Sequence, residues 1–321
     1  MRQRLLVLEL WGIGDLALAT PFIAEACESY DVSVIGKPFA VTFQKQFWPD
    51  ARLLPIVAPW TSFDSKYQLH RWPWGELVYE ITTCRASRFD IAVSARPDPR
   101  DHLLMLLAGA SKRIGYPRAG SAILLTDPLT PRPLHRADAW RKIAESVGVA
   151  VQSDHLVRNA GQSTDVLIHS GAAQPVRVWP VERYARLASR LRSEGFTVTV
   201  ACDSNQRGEW NSLGEDAISP ASVDELFDTV GSVGMFVGND SGPGHVAALS
   251  GVPTFTIFGP QLPEAFAPRN PESEWIDGKP CIYKPCRDNC RYPEPYCILN
   301  LSEDEVWERV LKFAMSHRAG P

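Results

Sequence analysis

Short, continuously apolar runs alternate along the chain with longer segments of helical spacing, and this alternation limits the fold more than any other feature. The runs lie at 5–10 (LLVLEL), 32–35 and 91–93 in the first half, and at 166–169, 197–201, 235–237 and 254–258 in the second. Within 181–194, Tyr184, Leu187, Ala188 and Leu191 fall on one helical face. Strands separated by helices pair in parallel, so the pattern predicts α/β domains whose sheets are covered on both faces. A chain of 321 residues is long enough for two such domains. The polar stretch NAGQSTD at 159–165 marks the break. The expected domains are 1–158 and 159–301, two Rossmann-like domains facing across a cleft, with a helical segment at 302–321 packing back towards the first. That segment opens SEDE, with Ser302 as N-cap and Glu305 three residues on, which fits a capping box.

Composition removes several classes of function. Hydrophobic residues make up 45% and charged residues 22%, with a formal net charge of −4, so neither wholesale disorder nor a general nucleic-acid binder fits. No apolar run approaches the roughly 18–20 residues that span a bilayer. The N-terminal MRQRLLVLEL is broken by Glu9 and reads as a first strand rather than a signal peptide, which gives a cytoplasmic expectation. Seven cysteines, an odd number, also argue against a secreted disulfide scaffold. A small positive excess in the first 150 residues is compatible with an acidic or membrane-facing partner, or with plain surface composition.

Ligands of open α/β sheets bind where strands run out into helices. After the first strand comes Trp11-Gly12-Ile13-Gly14-Asp15. Gly12 and Gly14 would let backbone approach a ligand, and Asp15 suits either a general base that accepts a hydroxyl proton or a helix cap. The same string fits a variant of the dinucleotide fingerprint. However, the second strand ends in Gly36-Lys37 rather than in an acidic residue for a ribose. After the strand at 166–169 come Ser170 and Gly171, and then Arg177 ahead of Trp179-Pro180. Arg177 could meet a phosphate with its planar fork or stack on Trp179, while His169 reads as a packed strand-end residue.

The segment Gly238-Asn239-Asp240-Ser241-Gly242-Pro243-Gly244-His245 is the most specific local signal. It is a strand, a glycine-rich turn and a helix start in sequence. The amides of Ser241, Gly242 and Gly244 would favour a phosphate, and Asp240 would suit sugar hydroxyls or cap the helix.

Together LELWGIGDLALATPFI, FDIAVSARPDPRDHLLMLLAGASKRIGY, IHSGAAQPVRVWPVERYARLA and VGNDSGPGHVAALSGVPTFTIFGP resemble the ADP-heptose:lipopolysaccharide heptosyltransferases, glycosyltransferase family 9, over nearly the whole chain. The resemblance implies a GT-B fold, with an acceptor domain followed by a nucleotide-sugar domain. It also implies inverting, metal-independent transfer, with ADP-heptose as donor, a lipopolysaccharide-core or other glycan acceptor, and no cofactor. Asp15 would then be the base, and Asp240, Ser241, Gly242, Gly244 and His245 the donor loop. Ser170 and Gly171 would lie beside the donor phosphates. Two positions depart from the family pattern: its lysine before Trp-Pro is Arg177 here, and its ribose-binding glutamate has no match, Gln206 being nearest in register. In this reading Arg177 and the amides at 241–244 stabilise the departing nucleoside diphosphate. The rivals are a sugar-nucleotide epimerase on the same fold and a sugar-nucleotide-binding protein without catalysis.

Two further clusters stand out. Cys281, Cys286, Cys290 and Cys297 fall within 17 residues and could close a structural metal site or a redox pair, or stay free thiols in a surface loop. Cys27, Cys84 and Cys202 read as buried cysteines. Trp60, Phe63, Tyr67, Trp72, Trp74 and Tyr79 crowd one stretch with Lys66, His70 and Arg71. They form either a surface for an amphiphilic acceptor at the inner membrane leaflet or a flap packed on the first sheet. Arg96, Arg100, Lys112 and Arg113 are candidates for acceptor phosphates, or for salt bridges with Asp98 and Asp101.

Overall fold

The computed structural model describes residues 2–61, 68–156, 165–286 and 288–318. The chain divides into two compact units, Met1–Ser153 and Asp154–Pro321. The expected break at 158/159 lies outside the described residues, as do Phe63, Lys66 and Tyr67.

The first unit is built on six parallel strands: β1 (Arg4–Glu9), β2 (Asp31–Gly36), β3 (Arg52–Pro55), β4 (Ile91–Ser94), β5 (Lys112–Gly115) and β6 (Asp127–Pro128), in the order β3-β2-β1-β4-β5-β6. Leu5, Leu6, Val7 and Leu8 are fully buried, as a central parallel strand with both faces covered requires. The second unit has five parallel strands: β7 (Asp165–His169), β8 (Thr197–Ala201), β9 (Met235–Asn239), β10 (Thr254–Ile257) and β11 (Glu274–Ile276), in the order β11-β10-β9-β7-β8.

All seven sequence-predicted strands are present. The four missed ones are short. β3, β6 and β11 are edge strands, and β5 (KRIG) carries Lys112 and Arg113 at its partly exposed start. Partial exposure leaves such strands without the apolar run that reveals a central one.

Each sheet reverses direction once. In the first unit the chain leaves β1 towards β2 and returns to β4 on the other side. In the second it leaves β7 towards β8 and returns to β9. Connections that diverge from adjacent strand ends open a crevice there, so β1/β4 and β7/β9 are where ligand-binding residues should collect.

The last helix belongs to the core of the second unit. Glu303–Ser316 begins at a capping box formed by Ser302 and Glu305, as the sequence predicts. Its apolar face (Val306, Val310, Phe313 and Ala314) lies in the second unit's own core with Val166, Trp179, Leu187 and Phe255. Phe313 packs on Phe255 with ring centres 5.6 Å apart, and Arg186 pairs with Glu303 at 2.6 Å. The segment closes the second unit, because its apolar face finds a seat beside that unit's own sheet.

Candidate functional site

In the first unit, the helix Ile13–Ser29 starts directly after β1 with Gly12 as N-cap. Gly12 has φ −95° and ψ 170°, extended backbone that any residue adopts, so the turn itself does not demand glycine. Asp15 Oδ2 accepts from the Gly12 amide at 3.3 Å, and the capping role is therefore real. The carboxylate is also gripped by two arginines. Arg96 Nη2, just past β4, donates to Oδ2 at 2.6 Å, and Arg136, from the start of the helix Arg136–Ser146, donates to Oδ1. The Arg96 guanidinium carbon lies over the Trp11 ring, 4.2 Å from its centre.

Behind this pair sits Glu9, buried at the end of β1 and accepting from the Trp11 amide at 3.1 Å. Burial pushes its carboxyl above the ordinary range, and the charges of Arg96 and Arg136 offset this only in part. Burial also lowers the Lys37 ammonium and the Arg96 and Arg132 guanidinium groups, and Glu9 raises both Lys37 and Arg96. Lys37, Arg96 and Arg136 thus gather around Glu9 and Asp15 at the strand ends, with Arg132 beside Arg96.

The other predicted cations are used elsewhere. Arg100 makes a bidentate pair with Asp98 at 2.9 and 2.7 Å. Lys112 faces Asp127 at 3.6 Å, and Arg113 donates to the carbonyls of Leu124 and Ala110. Of the cations proposed for acceptor phosphates, only Arg96 is at the crevice by these contacts.

Asp101, close by, is fully buried. It accepts from Trp60 Nε1 at 3.2 Å and Ser94 Oγ at 3.4 Å. Burial, helped by the charge of Asp98, pushes its carboxyl up to about 7. An unfolded aspartate titrates near ~3.9. Between those two values the folded protein holds a proton that the unfolded chain has lost, so this group's contribution to stability falls as pH rises through the window. Asp101→Asn keeps the shape without the charge. Its stability should match the parent below pH ~4 and exceed it by on the order of 2–4 kcal/mol at pH ~8. Urea unfolding of both proteins across that range checks this, and parallel curves would contradict it.

In the second unit the predicted residues divide. His169 is buried, its pKa lowered by burial, and its Nδ1 accepts from the Gly171 amide at 3.2 Å, as suits a packed strand end. Ser170 is not open to a ligand. Its hydroxyl donates to Gln206 Oε1 at 3.0 Å and accepts from Trp210 Nε1 at 2.9 Å. Gln206, expected to reach a ribose, turns inward to Ser170, its Nε2 donating to the Ser170 carbonyl at 3.4 Å. At Gly171 an added Cβ would sit 2.4 Å from the Asp203 carboxylate, so that side chain fills the space beside the turn.

The glycine-rich segment builds the turn and helix start at the end of β9. Ser241 is the N-cap of the helix Gly242–Leu249, with Gly242 and Gly244 in its first turn and His245 buried behind. The Ser241 hydroxyl is buried with no hydrogen-bond partner among the described residues. Amides of a first helical turn have no intrahelical acceptor, and the dipole favours an anion there. Asp240, buried, accepts from Arg177 Nη1 at 3.2 Å. Arg177 is not stacked on Trp179, which is fully buried and donates to the Leu301 carbonyl at 3.2 Å. Instead Arg177 also meets Asp288 at 2.6 Å. Burial alone would lower the Arg177 guanidinium, but the hydrogen bonds and charges of Asp288 and Asp240 leave it raised.

Sequence reasoning missed four residues here. Arg136 and Asp288 join their partners across 121 and 111 residues, a separation no local pattern encodes. Gln261 donates to Asp288 at 3.0 Å. Asn239, central in the quoted motif, ties Ser170, Trp179 and Tyr184 together.

Cys281, Cys286, Cys290 and Cys297 line one pocket with Tyr283, Tyr292 and Tyr296, and all are free thiols. Among the described residues no group of three or more His, Cys, Asp or Glu is arranged to hold a metal ion. Cys84 and Cys202 are buried as expected, but Cys27 is only partly so. The aromatic stretch is mixed. Trp60 is buried in the first core and Trp72 packs on it with ring centres 5.7 Å apart, whereas Trp74 and Tyr79 are 52% and 68% exposed.

Comparison with known proteins gives the family and the fold. Residues 82–294 match the family described as Glycosyltransferase family 9 (heptosyltransferase). The chain is 24% identical over 197 residues to the lipooligosaccharide heptosyltransferase 2 of Haemophilus influenzae, covering 57% of this chain and 54% of that protein. It spans about half the length of the curated relatives it matches. The crystal structure of a family 9 glycosyl transferase from Veillonella parvula superposes with a TM-score of 0.77 at 19% identity, covering 98% of each chain. The Escherichia coli heptosyltransferase WaaC with ADP superposes with a TM-score of 0.75 at 13% identity, covering 97% of this chain and 100% of that one. These likenesses show the fold, the GT-B type built from two Rossmann-like domains.

Proposed function

The chain belongs to glycosyltransferase family 9, and from that premise we propose that it moves a sugar from a nucleoside-diphosphate donor to a hydroxyl of an anionic glycan or glycolipid acceptor. The observation that carries this is in the second unit. A guanidinium (Arg177), a buried carboxylate (Asp240), an unpaired hydroxyl (Ser241) and the first turn of a helix converge at the β9 strand end. That set offers a diphosphate both hydrogen bonds and positive potential, with the Arg177-paired Asp240 beside it as an acceptor for a sugar or ribose hydroxyl.

The first unit supplies the acceptor side. Asp15 takes the proton from the attacking hydroxyl, and the cations around it favour an acceptor bearing phosphate or carboxylate. Attack opposite the departing diphosphate inverts the anomeric centre. Arg177 and the helix-start amides meet the charge that grows on the leaving group, so the reaction is proposed to need no metal and no cofactor. Transfer should then persist in EDTA. ADP-heptose is the first donor to try, because the neighbour WaaC was solved with ADP. Lipopolysaccharide core is the first acceptor, because the matched relative is a lipooligosaccharide heptosyltransferase.

No helix among the described residues is long and apolar enough to cross a membrane. The exposed Trp74, Val78 and Tyr79 share one face of the helix Trp74–Ala86 and suit peripheral contact at the inner leaflet. Vesicle co-sedimentation of the parent and of Trp74→Ser checks this, and equal binding would discard it.

The decisive experiment is calorimetry of the protein with ADP, UDP, GDP, CMP and NAD. Selective ADP binding, followed by turnover of ADP-heptose, is the expected outcome. Selective UDP or GDP binding would keep the reaction and discard the heptose donor. NAD alone would end the transferase reading.

A further inference from the structure

The structure gives Arg177 a partner from the cysteine-bearing segment. Arg177 Nε donates to Asp288 Oδ1 at 2.8 Å and Nη2 to Oδ2 at 2.6 Å, a side-on bidentate pair. Nη1 donates to Asp240 Oδ2 at 3.2 Å. Gln261 Nε2 donates to Asp288 Oδ1 at 3.0 Å, so the carboxylate is held from a second direction. A guanidinium carries five N–H groups. These bonds use one on each nitrogen and leave one on each terminal nitrogen. A lysine ammonium has no such plane, and its three donors rotate freely, so a carboxylate at this place could not aim it in the same way. Asp288 itself sits at φ 67°, a left-handed conformation that Asp and Asn tolerate better than most residues. In that conformation the Asp288 side chain meets Arg177.

We infer that Asp288 is a positioning residue for the donor: it occupies the side edge of the Arg177 fork and turns the remaining N–H groups towards the diphosphate. This rests on the reading of Arg177 as a diphosphate contact. It also gives the cysteine-bearing segment a task in the site that requires no oxidation or metal.

The test is calorimetry on the full chain with the nucleoside diphosphate that the panel selects, and with its parent nucleoside. The variants are Asp288→Asn, Asp288→Gly, Arg177→Lys, Arg177→Gln and the double Arg177→Lys/Asp288→Asn. Asn and Gly both accept the left-handed backbone, so neither strains the turn. Each Asp288 variant should weaken diphosphate binding roughly tenfold beside Arg177, with nucleoside binding unchanged. Adding Asp288→Asn to Arg177→Lys should weaken it no more than about twofold further. Equal losses in both backgrounds, or a loss that includes the nucleoside, would reduce Asp288 to general support of the loop and overturn the inference. Tighter binding in Asp288→Asn would overturn it too, by making the carboxylate a competitor of the diphosphate. Loss at Arg177→Gln with none at Asp288 overturns this inference alone. No loss at Arg177→Gln, or no nucleotide bound by the parent, removes the donor reading and the inference with it.

Discussion

Asp15→Asn should lose about 10²–10⁴-fold in sugar transfer while binding the donor nucleotide as tightly as the parent. The physical case is that Asn replaces the carboxylate with little change of shape. Its amide oxygen can still accept from the Gly12 amide, so the helix Ile13–Ser29 keeps its start. The variant loses the ability to take a proton, and the anion that Arg96 and Arg136 hold in place. The residues proposed to bind the donor belong to the second unit, which leaves nucleotide affinity as an internal control. The measurement is turnover alongside calorimetry on the same preparation. Turnover within about tenfold of the parent would leave Asp15 as a helix cap and send the search for the base to Glu9, the other carboxylate of that crevice. A parent protein that binds nucleotide with no turnover on any donor would favour the sugar-nucleotide-binding alternative.

The largest loss of stability outside the aliphatic core should come from Asn239→Ala. Asn239 is 0% exposed, and its side chain closes three bonds. Nδ2 donates to the Ser170 carbonyl at 2.6 Å, while Oδ1 accepts from the Trp179 amide at 3.0 Å and the Tyr184 hydroxyl at 2.9 Å. Truncation strands all three buried groups at about 1–3 kcal/mol each, with partial relief by rearrangement, for a net loss of roughly 3–5 kcal/mol. Asn239→Asp separates the parts. It retains acceptors for Trp179 and Tyr184 but sets a carboxylate against the Ser170 carbonyl, and should fall between parent and alanine variant below neutral pH. Urea unfolding gives the numbers. A loss under about 1 kcal/mol for Asn239→Ala would mean that water replaces the side chain. The same bonds hold the end of β9 to the turn after β7, so donor affinity should fall with stability.

Much of this molecule was legible in its sequence because local chemistry carries it. A buried parallel strand must be a short apolar run, so the central strands of both sheets were found within one or two residues. The glycine-rich turn after β9 and the Ser302–Glu305 capping box are local hydrogen-bonding solutions, and both are where the residues indicate. Asp15 and Arg177 could be named for the same reason: each follows a strand end, and strand ends are where ligands meet an open sheet. Their partners could not. Arg136 and Asp288 are brought in only when remote segments pack, and the direction in which Ser170 and Gln206 point was settled by Trp210 and Asn239 filling the space behind them. Sequence alone therefore determined the architecture of two parallel sheets and the strand ends that carry the site, since period and turn chemistry act over a few residues. Tertiary structure alone decided which charges meet, which polar residues are spent on the scaffold, and which core the last helix completes, since those depend on contacts between segments from 36 to 121 residues apart.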